Sequence, residues 1–385
     1  MRDGTTDTNR AGGTAFWVVG AILLLVMPLL NLLPPEDSWF HLSDFSLNRF
    51  GKFLAFAILA LGLDLIWGYT GILSLGQGVF FGLGAYCMSM HMMLTIGKES
   101  VYGSDMPDFM VWNQVKELPF FWKPFYSFPA AVIGAILVPM LFALIFGFFA
   151  FRSRIKGVYF AIITQALALV AWLVFNRNDT NLGGTNGLTD FKQILGYRLS
   201  EPSTQLVLYV ITVLCLGASY LFCQWIIRSR AGRVLVAVRD SEKRVVFSGY
   251  TPSNYKLFVF VVAAALAGLA GMLYAPQVGI ITPAQIGVLP SLEMVIWVAV
   301  GGRASLAGAV LGAVSVNYGR SVLTNYFPEL WPFILGGLFV LVVLLFPDGL
   351  IGMMRKGKDL LRRRNVEEGK PALPENKTTV VEGKR

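Results

Sequence analysis

Charged side chains are scarce in this chain. Asp, Glu, Lys and Arg make up only 14% of the 385 residues, where an ordinary soluble domain carries about 25%. With 55% of residues hydrophobic, that scarcity excludes a disordered chain and most soluble enzymes. Cysteine is almost absent: Cys87, Cys215 and Cys223 all lie in apolar stretches without CxxC or Cys/His spacing, so neither a disulfide framework nor a zinc site is readable. The two histidines, His41 and His91, stand alone. Catalytic patterns are missing too: no P-loop, no HExxH, no GxSxG and no close carboxylate pair in an apolar segment. His41 and Asp44 are the nearest approach to the acid–base pair of a membrane-embedded acyltransferase, and they have no supporting context. The chain is therefore expected to bind no cofactor and no metal. If ATP drives it, another chain must hydrolyse that ATP.

What the chain has instead is length and apolar runs. A bilayer core takes about 20 helical residues per crossing, so ten crossings would use about 200 residues. Apolar windows recur at about 14–33, 49–68, 72–96, 127–151, 157–175, 204–227, 255–275, 289–301, 304–327 and 330–347. The expected fold is an all-α polytopic bundle of about ten membrane segments spanning 14–347. Ahead of the first window Arg2 and Arg10 are balanced by Asp3 and Asp7, and no small-x-small site precedes Pro34 and Pro35, which favours a retained span over a signal peptide.

The net charge of +9 is informative through its distribution. With the N-terminus placed in the cytoplasm, the cytoplasmic segments hold 22 Lys and Arg and the outer loops 6. That asymmetry matches the positive-inside rule. Both ends are thus expected in the cytoplasm: a short segment 1–13 and a basic, disordered tail 348–385. Residues 97–126 and 176–203 fall on the outer side. Nucleic acid is not an expected partner; membrane lipid is.

Two segments are unusually rich in glycine for membrane helices. GYTGILSLGQGVFFGLGAY, residues 68–86, contains Gly71, Gly76, Gly78 and Gly82, with polar Ser74 and Gln77 between them. GGRASLAGAVLGA, residues 301–313, contains Gly302, Ser305, Gly308 and Gly312. Such spacing permits close helix packing, or a broken helix lining a substrate pathway; both readings stay open. Ser74-Leu75 and Ser305-Leu306 sit at comparable places in two outward-running spans, either as an internal repeat or through composition alone. Charges within spans are few. Asp64 and Glu293 lie near span ends and read as capping or interfacial groups, and Arg320 as a residue that snorkels or meets a helix C-terminus.

Residues 228–256 differ in kind, with seven basic residues between two strong spans. Val234, Leu235 and Val238 give a short apolar face at helical spacing, so an amphipathic cytoplasmic helix is expected. It either lies on anionic lipid or docks into a partner.

These segments, with RIKGVYFAIITQALA (154–168), GGTNGLTDF (183–191), YKLFVFVVAAALAGLAGMLYAPQVG (255–279) and WVAVGGRASLAGAVLGA (297–313), resemble the membrane subunit of branched-chain-amino-acid-type ABC importers (LivM-like). The resemblance covers roughly residues 50–350 in family order. The outer loop 109–125, residues 175–192 and VRDSEKRVVFSGY (238–250) are closer to the urea-transporting, UrtC-type branch. The resemblance implies an inner-membrane, multi-pass permease working by alternating access. It implies a second, homologous permease subunit, two ATP-binding cassette subunits that use the ATP, and a periplasmic binding protein, for urea in this branch. It also implies that residues 229–249 are the coupling loop to the ATPases, with Gly232, Arg233, Arg239, Asp240 and Glu242 on matching positions. The chain departs from the family at Arg303-Ala304-Ser305, where Arg-Gly-Thr is commoner, which leaves that turn less flexible.

Urea is neutral and needs hydrogen-bonding partners but no fixed countercharge, which is compatible with the scarcity of mid-span charge. Urea import is therefore the expected function. The alternatives are a branched-chain amino acid or short-chain amide permease of the same family and, further off, a channel or secondary carrier.

Overall fold

The computed structural model describes residues 20, 22–33, 42–97, 102–153, 155, 157–331, 333–337 and 340. The expected segments 1–13 and 348–385, residues 341–347 of the last window and His41 lie outside the described residues.

Among the described residues the helices are α1 (Ile22–Leu32), α2 (Asp44–Thr70), α3 (Gln77–Ile96), α4 (Asp108–Trp112), α5 (Phe128–Arg152), α6 (Val158–Phe175), α7 (Pro202–Arg228), α8 (Arg230–Phe247), α9 (Pro252–Val278), α10 (Val288–Gly301) and α11 (Leu306–Tyr326). Six of them, α2, α3, α5, α6, α7 and α9, are long and apolar enough to cross a membrane, while α1 and α10 are shorter apolar helices. The 21-residue α11 carries polar residues, Asn317 and Arg320 among them. All ten apolar windows thus contain helix among the described residues, the last of them at 331, 333–337 and 340.

Two boundaries differ from the hydropathy windows, each for a local reason. α2 starts at Asp44, five residues early, because the Ser43 side chain accepts from the Ser46 N–H and caps it. α3 starts at Gln77, five residues late, because Gly71 turns left-handed (φ 75°) and ends α2. The stretch 71–76 is not helical. Part of its backbone is satisfied by α6, since the Leu75 N–H donates to Thr164 Oγ1 at 3.0 Å. Irregular backbone inside a bundle requires this kind of cover.

α2, α3 and α9 form the centre, whereas α5 and α6 turn most of their apolar surface outward, with 22% and 28% of their spanning windows buried. Helices apolar all round are what a lipid-facing position selects. In lipid the helices gain little from the hydrophobic effect, so contact packing decides their arrangement. Phe151 stacks on Phe160 with ring centres 4.8 Å apart, and both rings pack on Phe260, tying α5, α6 and α9 together.

α8 lies at one end of the bundle, beside the C-terminus of α2 and the start of α9. At the opposite end the long connections carry four two-residue strands: β1 (Leu188–Thr189), β2 (Gln193–Ile194), β3 (Tyr197–Arg198) and β4 (Ile280–Ile281). β1 pairs antiparallel with β4, Leu188 facing Ile281, and β2 pairs with β3, Gln193 facing Arg198. A pairing between residues as far apart as Leu188 and Ile281 is not visible in hydropathy.

Candidate functional site

A cavity of about 700 Å³ opens at the end opposite α8, between α2, α9, α10 and α11. Its floor is aromatic. Phe56 lies 4.8 Å from Trp297, 5.3 Å from Tyr274 and 5.8 Å from Phe81, ring centre to ring centre. Its walls are polar and charged, with Asn48, Lys52, Gln277, Glu293, Asn317 and Arg320 among them.

Each polar side chain is placed by helical spacing. Asn48 and Lys52 stand four residues apart on one face of α2. Glu293 of α10 and Arg320 of α11 form an ion pair at 2.5 Å, with Glu293 largely buried. The sequence reading of these two as separate interfacial groups is corrected here: the turn at 302–305 folds α11 back on α10 and brings them together. Lys52 has no carboxylate within ion-pairing distance among the described residues. Its ammonium lies 5.9 Å and 5.8 Å from the ring centres of Phe56 and Tyr274, a cation–π placement.

At the other end the bundle is closed, and the two glycine-rich segments meet there. The fully buried Asp64 of α2 accepts the Ala304 N–H at 2.8 Å. A Cβ on Gly68 would lie 2.4 Å from the Ala304 nitrogen, so the two backbones touch. Arg303 lies 5.0 Å over the Trp67 ring. Ala304 has φ 57°, in the left-handed region that costs an L-residue about 1–2 kcal/mol. Ala304→Gly is therefore expected to raise the thermal midpoint of the detergent-solubilised protein, and a fall would show that the turn is relaxed as it stands.

α8 grips this closed end. The Arg239 Nη1 donates to the Gly68 carbonyl at 2.8 Å, and its Nε donates to Asp240 at 3.2 Å. Glu242 pairs with Lys256 of α9 at 3.0 Å, both side chains largely buried. Ser229 ends α7 and caps α8 by accepting the Gly232 N–H. Gly232 sits in that corner because a Cβ there would lie 2.2 Å from the Ile227 carbonyl oxygen. Ser241 breaks the helix (φ −162°, ψ 97°). Leu235 and Val238 are buried, as the apolar face requires, and Val234 is half-buried. Arg233 and Asp240 are exposed and line a groove on the outer side of α8 with Arg230 and Arg244.

None of the ten glycine-rich-segment residues singled out in the sequence lines the 700 Å³ cavity. Gly71, Ser74, Gly76 and Gln77 form the unwound stretch and the start of α3; Gln77 donates to Ser74 Oγ at 3.4 Å. Gly78 and Gly82 pack on residues 285–291. Gly302 and Ser305 form the α10–α11 turn, where Ser305 caps α11 by accepting the Gly308 N–H. Gly308 and Gly312 pack on the α10 backbone. The cavity-lining Asn48, Lys52 and Gln277 escaped the sequence reading. The available signal was polar side chains four apart on an otherwise apolar α2 and a lone glutamine beside Pro276. The scarcity of mid-span charge, taken in the sequence as compatible with a neutral solute, does not hold for this cavity.

Comparison with known proteins gives the same family as the segments do. The family model for the permease component of the branched-chain amino acid transport system matches residues 46–343. The chain is 26% identical over 353 residues to the high-affinity branched-chain amino acid transport system permease protein LivM of Salmonella typhimurium, covering 85% of this chain and 75% of that one. It is 26% identical to LivM of Escherichia coli, covering 78% and 69%, and 25% identical to the permease protein BraD of Pseudomonas aeruginosa, covering 77% and 91%. No solved structure matches the chain.

Proposed function

The chain belongs to the branched-chain amino acid transport system permease family, and from that premise we propose that it is the membrane-spanning subunit of an ATP-driven importer for amino acids with apolar side chains. The observation that carries the substrate is the cavity, where fixed charges of both signs stand over an aromatic floor. A zwitterion with a hydrocarbon side chain uses all three features. Urea uses none of the charges, so the finer urea reading gives way to the branched-chain alternative. The names of the relatives point the same way.

The excess of Lys and Arg in the segments on the α8 side supports a cytoplasmic position for that end and an outward-facing cavity. In this reading the cavity faces an external delivery protein, and a second permease subunit completes the pathway. The glycine-rich turns form the closed gate. ATPase subunits dock on the exposed face of α8, and Arg239 transmits their closure to Gly68, so the bundle rocks between two accesses. This chain does no covalent chemistry.

The test is uptake of radiolabelled leucine and urea in a strain deleted for this chain and complemented with it. Complementation is expected to restore energised leucine uptake and leave urea uptake unchanged. Restored urea uptake with leucine unaffected would overturn the substrate.

A further inference from the structure

We infer that Asp64 is the latch of the inner gate, a positioning residue that holds the α10–α11 turn shut against α2 by accepting a backbone hydrogen bond. The inference rests on the transport reading above and adds to it the residue on which closure depends.

Asp64 is an unusual side chain for its place. It lies between Leu63 and Leu65 in the core of α2 and is fully buried, where a carboxylate is costly and marks function by default. Among the described residues no cation pairs with it; Arg239 and Arg303 act on it only from beyond ion-pairing distance. Its Oδ2 is buried without a donor. Its Oδ1 accepts the Ala304 N–H at 2.8 Å, with the Ser305 N–H close by. Both amides belong to the α10–α11 turn, so the carboxyl group is spent on holding that turn.

What it holds is strained. Ala304 has φ 57°, and such backbone persists only where its surroundings over-determine it. Once the bond is released the turn can relax away from α2, so the latch closes against a spring. Gly68, one turn further along α2, gives the bond room: a Cβ there would fall on both the Asp64 carboxylate and the Ala304 nitrogen. The carbonyl of the same Gly68 takes the Arg239 bond from α8. A movement of α8 therefore arrives directly beside the latch. The bond needs an acceptor oxygen and not a charge, since an amide oxygen can accept the same N–H.

The experiment uses the full transporter complex in nanodiscs and reads hydrogen exchange at residues 303–305, without nucleotide and with a non-hydrolysable ATP analogue. In the wild type the two states are expected to differ at least tenfold, because the turn leaves α2 in one of them. Equal exchange overturns the inference, and this arm needs no variant to fold. The same complexes in proteoliposomes, with the external delivery protein, give leucine imported per ATP hydrolysed. Asp64→Leu, close in size but without an acceptor, should lower that ratio at least tenfold. Gly68→Ala, which keeps the carboxylate but blocks its contact, should do the same, and Asp64→Asn should keep most of the ratio. A folding defect alone would lower the yield of complex and leave the ratio per assembled complex unchanged. An unchanged ratio in assembled Asp64→Leu or Gly68→Ala overturns the latch, as does a loss in Asp64→Asn equal to that in Asp64→Leu. Wild-type uptake separates the two readings. Leucine import alongside any of these overturning results refutes the latch alone; no import refutes the transport reading, and hydrogen exchange still decides the latch.

Discussion

Arg239→Glu is expected to lower ATP-driven uptake at least tenfold while leaving the ATPase subunits bound. Arg239 is partly exposed, with 36% of its side chain accessible, but it reaches the end of α2. Its guanidinium donates to the Gly68 carbonyl, and Gly68 abuts the Ala304 backbone that Asp64 holds. A hydrogen bond from a charged donor contributes about 1.5–3 kcal/mol, and a tenfold rate change needs only about 1.4 kcal/mol. The glutamate also sets a carboxylate against a carbonyl oxygen. Arg233, exposed in the groove six residues earlier, has the opposite expectation: Arg233→Glu weakens association with the ATPases and lowers uptake through lost assembly. Co-purification and uptake per assembled complex, measured in proteoliposomes, separate the two. Loss of the ATPases from Arg239→Glu, with Arg233→Glu assembling normally, would reverse the assignment.

Gly312→Ala is expected to cause the largest loss of folded protein of any single methyl added to α11. The new Cβ would lie 2.0 Å from the Trp297 carbonyl oxygen and 2.7 Å from the Gly301 nitrogen. Both are backbone atoms of α10, so no side chain can swing aside. Overpacking a close-packed interior costs about 1–3 kcal/mol even where neighbours yield, and here the hairpin itself must open. That movement separates Glu293 from Arg320. Gly319→Ala on the same helix is the control: nothing lies within 4 Å of its Cβ, and alanine in a helix is favoured by roughly 0.5–1 kcal/mol. Fluorescence-detected size exclusion should show little monodisperse protein for the first variant and no loss for the second. Equal yields would mean that α10 and α11 are not packed as described.

The six spanning helices were legible in the sequence because each is long and apolar and has Gly, Pro or Ser at one or both ends. So was the exceptional character of α8, from its basic residues and its Leu235/Val238 face. The unwound stretch 71–76 was visible only as a glycine excess. Its position depends on Thr164, nearly ninety residues away, reaching the Leu75 N–H. The candidate site was the least legible part. Glu293 and Arg320 become a pair only through a turn containing Ala304 in a left-handed conformation, which no propensity favours. Gln277 is held at the cavity by Thr212 on another helix. The glycines drew attention for a sound physical reason, close approach, but most of those approaches join helices. The polar side chains that line the cavity are those left over between the helices.

The two-residue ladder joining β1 to β4 has a mechanical consequence. It rivets the connection after α6 to the connection after α9, at the rim opposite α8. A rivet at one rim makes that rim a fulcrum. α6 is about 27 Å long at 1.5 Å per residue, so a swing of about 5° moves its far end by about 2 Å. The leverage therefore falls at the end where α8 lies, and under the proposed coupling a small displacement there is enough to part surfaces that the rim itself holds still.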